Sequence, residues 1–242
     1  MTSYDEMLKM LDNPLPDRAT TVTVCNVHSV MSARRDAALR EAIDGSDIAT
    51  PDGMPLVWTL RMTAHKGQER VYGPELMRQA LIHGVDQGWR HYFFGSSPDA
   101  LSKLEDAARE LAPAIDIVGT HSPPFRPLTE EEEERALQEI RDSGATIVWV
   151  GLGMPKQELW MWRIRDRLPG TTVLGVGAAF DFIAQTKPQA PAWMQRVGME
   201  WLFRLASEPR RLWRRYAWNN PAFLVLMLWQ VARSRLGGKR PE

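Results

Sequence analysis

The sequence predicts an α/β protein built on a Rossmann-like, mostly parallel sheet flanked by helices, with a C-terminal helical appendage. Three observations predict it. Short β-branched or aromatic apolar runs recur from Thr20 onward, and longer stretches with helical spacing separate them. After about Pro188 this alternation stops. Strand and helix in alternation is the pattern of a parallel sheet, because each parallel connection needs a crossover, usually a helix.

The strand-like runs are TVTVCNV, HYFFG, IDIVG, TIVWVGLG and TVLGVGAAF. Between them, residues 29–42 read as one helix following the first strand. Residues 98–111 open with Ser-Pro-Asp, and residues 128–143 open with Leu-Thr-Glu-Glu, an N-cap followed by an acidic first turn. Each stops near Gly or Pro. The acidic run Glu130 to Glu134 is expected to be a solvated helix start. Three strand ends run directly into Gly or Pro motifs, FFGSSP, WVGLGMPKQE and GVGAAFDF, and ligands of open α/β sheets sit at the carboxyl ends of strands.

Two units are expected, residues 1–190 as the α/β domain and residues 191–242 as the appendage. Trp193, Trp201, Trp213, Trp218 and Trp229 fall in the second, among arginines at helical spacing. That composition suits a segment lying on a membrane interface. Its apolar run, residues 222–232, is well short of the roughly 20 residues needed to cross a bilayer.

Composition narrows the classes of partner. Over 242 residues, 44% of them hydrophobic, Lys+Arg and Asp+Glu each number 30. A zero net charge gives no global field to draw in nucleic acid, so no nucleic-acid partner is expected and any anion must be read by a local patch. A single cysteine, Cys25, excludes an internal disulfide and a cysteine zinc site and suits a reducing compartment. The opening residues carry acids and no apolar stretch of signal-peptide length, so the expected location is cytoplasmic.

Several motifs could carry chemistry. Asp52 stands in Thr50-Pro51-Asp52-Gly53, where it reads equally as a turn residue or as a general base at the end of a sheet. Arg70 precedes a helix starting near Pro74, where it reads as a surface arginine or as a phosphate ligand beside a helix N-terminus. Gly151 and Gly153 would let a ligand approach the chain closely, and Gln157 follows them in Gly-Leu-Gly-Met-Pro-Lys-Gln-Glu. The dinucleotide pattern G-x-G-x-x-G fails there, because Lys156 occupies the third glycine position. Asp181 either bonds a ligand or caps the next turn. His28, His65, His83, His91 and His121 show no metal-ligand spacing, and no Asp-x-Asp occurs, so no metal and no cofactor are expected.

Taken in order, CNVHSV, ATPDGMPLVW, ERVYGPEL, GLGMPKQE, GVGAAFDF and KPQAPAWMQRVGMEWLFRLASEPRRLWRRY resemble the WecG/TagA/CpsF family, glycosyltransferase family 26. The resemblance implies inverting, metal-independent transfer of N-acetylmannosamine, another hexose or a uronic acid. The donor it implies is a UDP-sugar and the acceptor a polyprenyl-diphosphate-linked saccharide, at the inner face of the membrane. It implies Asp52 as general base, Asn26 near the donor sugar, Arg70 and Gln157 holding substrate, and Arg204, Arg211 and Arg214 brought over the site by the appendage. The family often has Thr two residues before the Asn, where this chain has Val24. That departure keeps a second reading open, a catalytically weak assembly protein of the same pathway peripheral to the membrane. The resemblance leaves homo-oligomerisation open.

Overall fold

The computed structural model describes residues 2–63 and 65–235. Six strands form one sheet: β1 (Thr20–Cys25), β2 (Ile48–Pro51), β3 (Arg90–Gly95), β4 (Asp116–His121), β5 (Ile147–Gly151) and β6 (Thr172–Gly175). Their spatial order is β2-β1-β6-β5-β3-β4, and every neighbouring pair is parallel.

The central strands are covered on both faces, which is why they read as continuous apolar runs rather than as alternating ones. Side chains still alternate between faces with period two. Phe93 and Trp149 enter one core with α1 (Tyr4–Leu11), α5 (Gly73–Gln87), α6 (Pro98–Leu111) and α9 (Ala179–Ile183). Their neighbours Tyr92, Phe94, Val148 and Val150 enter the opposite core with α7 (Glu130–Ser143) and α8 (Lys156–Ile164).

Three local expectations need correction. Residues 29–42 are not one helix but two, α2 (Val27–Ala33) and α3 (Ala37–Asp44), because the Asp36 carboxylate accepts from Leu39 N at 3.1 Å and caps a fresh start. Thr50 and Pro51 belong to a strand and not to a turn; β2 is an edge strand, where a proline at the last position disturbs no inner ladder. The acidic start of α7 is only partly solvated. Glu132 closes a capping box with Thr129, whereas Glu133 is buried and paired with Arg163 and Arg167.

Helix α4 (Met54–Thr63) follows β2, and beyond residue 191 only helices occur among the described residues: α10 (Ala192–Arg196), α11 (Glu200–Ser207) and α12 (Pro209–Arg235). Helix α12 folds back across α2 and α4, where Phe223 joins Cys25, Met31 and Leu56 and Asn219 Nδ2 meets His28 Nδ1 at 2.9 Å. Its inner face carries Leu212, Arg215, Asn219 and Phe223, while Trp213, Trp218, Val225, Leu228 and Trp229 face outward and are exposed. No helix among the described residues is long and apolar enough to cross a membrane. Residues 236–242 of the expected appendage lie outside the described residues.

Candidate active site

The carboxyl ends of the strands open into a cleft of about 660 Å³, bordered by Asn26 after β1, Asp52 after β2, Ser96 after β3, Gly151–Gly153 at the end of β5 and Val176–Phe180 after β6. A narrower slot of about 330 Å³ meets it at Asn26 and Asp52 and runs under α11 and α12, past Trp58, Met199, Trp201 and Phe223. The two spaces share Asn26, Asp52, Arg204 and Arg215.

Asp52 is placed by the sheet edge, its N–H donating to Cys25 O at 2.7 Å. Arg70 clamps it: Nη2 donates to Asp52 Oδ1 at 3.2 Å, and Nε donates to the Asp52 backbone carbonyl. The same Nη2 donates to Glu200 Oε2 at 2.7 Å, and the guanidinium lies 4.2 Å over the Tyr72 ring. Burial pushes the Asp52 carboxyl up from its ordinary 3.8 to about 6, with the Glu200 charge pushing the same way against the pull of Arg70 and Arg204. A base that titrates near neutral pH is suited to taking a proton from a hydroxyl.

The other expected residues take more particular roles. Asn26 caps α2, its Oδ1 accepting from His28 N at 2.9 Å and Ser29 N at 3.3 Å, so only its amide nitrogen is left to face the cleft. Gln157 braces the glycine loop: Oε1 accepts from Gly153 N at 3.1 Å and Nε2 donates to Glu158 Oε1 at 3.0 Å. The two glycines have different causes. A Cβ on Gly151 would stand 2.5 Å from the Phe180 ring, a packing demand, whereas Gly153 has φ +76° with open space above it, which leaves room for a ligand. Asp181 borders the cleft and binds Lys187 Nζ at 2.6 Å, pinning the loop after α9.

Of the three appendage arginines expected over the site, Arg204 and Arg211 line the cleft, and Arg211 also pairs with Glu208 at 2.7 Å. Arg214 does not. It is exposed against Trp213, because one helical step of about 100° turns it away from the inner face. Arg215 takes the inward position. Its Nε is buried with no hydrogen-bond partner, and burial together with the nearby Arg204 and Arg211 holds its pKa down to about 10. Arg204, Arg211 and Arg215 thus gather positive charge that no carboxylate in the cleft fully neutralises, an arrangement that favours an anion.

Sequence reasoning missed Arg215 and Glu200. Both stand in the quoted appendage stretch, and only the return of α11 and α12 over the sheet tells which face is inward. Among the described residues no group of three His, Cys, Asp or Glu is gathered as a metal site would be. Compared with known families, the model of the glycosyl transferase WecG/TagA/CpsF family matches residues 1–237, sheet and appendage together. The chain therefore belongs to the WecG/TagA/CpsF family of glycosyl transferases, enzymes of cell-surface polysaccharide synthesis.

Proposed function

We propose that this chain is an inverting, metal-independent hexosyltransferase that moves a hexose-type sugar from a UDP-sugar to a polyprenyl-diphosphate-linked saccharide. The work is done at the cytoplasmic face of the membrane. The observation that carries this reading is the pairing, across one cleft, of a mostly buried carboxylate poised near neutral pH with an arginine cluster in which, among the described residues, only Arg211 has a carboxylate partner.

Inversion needs a single in-line displacement. Asp52 takes the proton from the acceptor hydroxyl as its oxygen bonds to the anomeric carbon. The bond from that carbon to the UDP oxygen breaks on the opposite face, and the electron pair leaves with the diphosphate. Arg204, Arg211 and Arg215 stabilise that charge in the role a divalent cation plays elsewhere. The slot under α11 and α12, walled by Trp58, Met199, Trp201, Phe223 and Leu224, suits an acceptor with an apolar chain.

The test is UDP release with a polyprenyl-diphosphate-linked acceptor. Asp52→Asn should keep the fold and lower turnover by about two to four orders of magnitude. Near wild-type turnover in that variant would reject Asp52 as base. Absence of UDP release from the unmodified protein across a UDP-sugar panel would favour the assembly-protein reading, which Val24 at the cleft wall keeps in play.

A further inference from the structure

Arg70 is the only guanidinium that bonds Asp52 among the described residues, and it is shared. Its Nη2 lies 2.7 Å from Glu200 Oε2 and 3.2 Å from Asp52 Oδ1, so one nitrogen serves two carboxylates and stands closer to the one from the appendage. The three side chains are only 15–19% exposed, so water screens little of this contest. Arg70 cannot move aside to serve either partner alone. Its Nε is held by the Asp52 carbonyl and its face by Tyr72, whose backbone N–H donates to Tyr4 Oη at 3.0 Å and whose own Oη accepts from Gln189 Nε2 at 2.9 Å.

Glu200 comes from the first turn of α11, 130 residues away in sequence, and reaches Arg70 because α11 is seated over the sheet end. We propose that Glu200 is a positioning residue which, by drawing on the Arg70 charge, leaves Asp52 a stronger base, and does so only while α11 is docked. The idea rests on the reading of Asp52 as general base. It couples appendage docking to the chemical step, because an undocked α11 would leave Arg70 wholly to Asp52.

The charges that face Asp52 agree in sign with this. Arg70 and Arg204 favour its ionised form, while Glu200 opposes it. Tyr4, Tyr72 and Cys25, from α1, the loop before α5 and β1, are held neutral by burial at working pH. His28 from α2 is likewise neutral, its pKa lowered to about 4, and Arg215 from α12 lies across the slot. Glu200 is thus the one neighbour whose removal relieves repulsion without removing an attraction.

The pH dependence of kcat/KM for UDP release tests this on the full chain. Glu200→Gln keeps an acceptor for Arg70 but loses the charge, so its acid limb should move to lower pH by about one unit, with a several-fold lower plateau from the weaker base. Glu200→Asp keeps the charge and should keep the limb where the unmodified enzyme has it. A Glu200→Gln limb at the unmodified pH, whatever its plateau, would overturn the proposal and reduce Glu200 to a tether for α11. Parallel Asp52→Asn measurements separate the two ideas. Retained turnover there removes the base itself, whereas lost turnover with an unmoved Glu200→Gln limb removes only the role of Glu200.

Discussion

Trp149 and Trp218 show two uses of one residue type. Trp149, in the middle of β5, is fully buried, and its Nε1–H donates to His91 Nδ1 at 3.1 Å. Trp218, on the outer face of α12, is 73% exposed. The sheet region turns nearly all of its large apolar side chains inward, to Phe93, Phe94, Leu104, Leu137 and Phe180. The appendage keeps Leu212, Phe223 and Val231 inside and presents Trp193, Trp218, Val225, Leu228 and Trp229 to the outside. The sheet region is therefore stabilised by its own core, while the appendage carries apolar surface whose burial needs something outside this chain.

Removing the appendage after residue 190 is the strongest challenge to that contrast. The remaining domain should still unfold cooperatively, but turnover on a water-soluble acceptor should fall by about three orders of magnitude or more, because Arg204, Arg211, Arg215 and Glu200 leave together. Full activity of the truncated chain would confine the appendage to anchoring. Next in size, Phe93→Ala should lower the unfolding free energy by about 3–5 kcal/mol. Phe223→Ala should shift the main thermal transition far less, and equal losses would show the appendage to be part of the cooperative core.

A sharper comparison lies within α12. Arg215→Ala should cost about two orders of magnitude in turnover if it meets the leaving diphosphate, and a loss below tenfold would exclude that contact. Arg214→Ala, on the outer face, should leave turnover nearly intact and weaken binding to anionic vesicles by only about 1 kcal/mol. Asp52 adds a pH-dependent stability effect. Its folded pKa, about 6, lies above the ordinary 3.8, so the folded state binds a proton that the unfolded chain releases earlier. The associated stability is present below about pH 4 and lost as pH rises to about 6. Asp52→Asn should therefore be the more stable protein at pH 7.5, by up to about 3 kcal/mol. Thermal melts should show that gain shrinking towards pH 4, and a variant less stable than the parent at pH 7.5 would contradict it.

The other five strands were legible because each is a β-branched or aromatic run ended by glycine or by a polar turn. The edge strand β2 was not. Its four residues, Ile48–Pro51, end in proline and carry no apolar run, so Asp52 looked like a turn residue and its place at a sheet end was open. The break between α2 and α3 was hidden because Asp36 sits within a stretch whose spacing is helical throughout. In the candidate site, Asp52, Asn26, Arg70, Gly153 and Gln157 could be named from motifs, and the structure sets them around one cleft or its border. The choice of Arg215 over Arg214 could not be, since it depends on the rotation of α12 about its own axis, set by Phe223 and Asn219 docking on α2 and α4.

Helix α12 has Arg215 on its inner flank and the tryptophans on its outer flank, so the reacting groups and the outward apolar surface are separated by one helix thickness, roughly 10 Å. Where that surface rests on lipid, the helix becomes a gauge of height. A lipid-linked saccharide would present a hydroxyl to Asp52 only at the distance from the headgroups that this thickness allows, so chain length, as much as sugar identity, would decide which acceptors are extended.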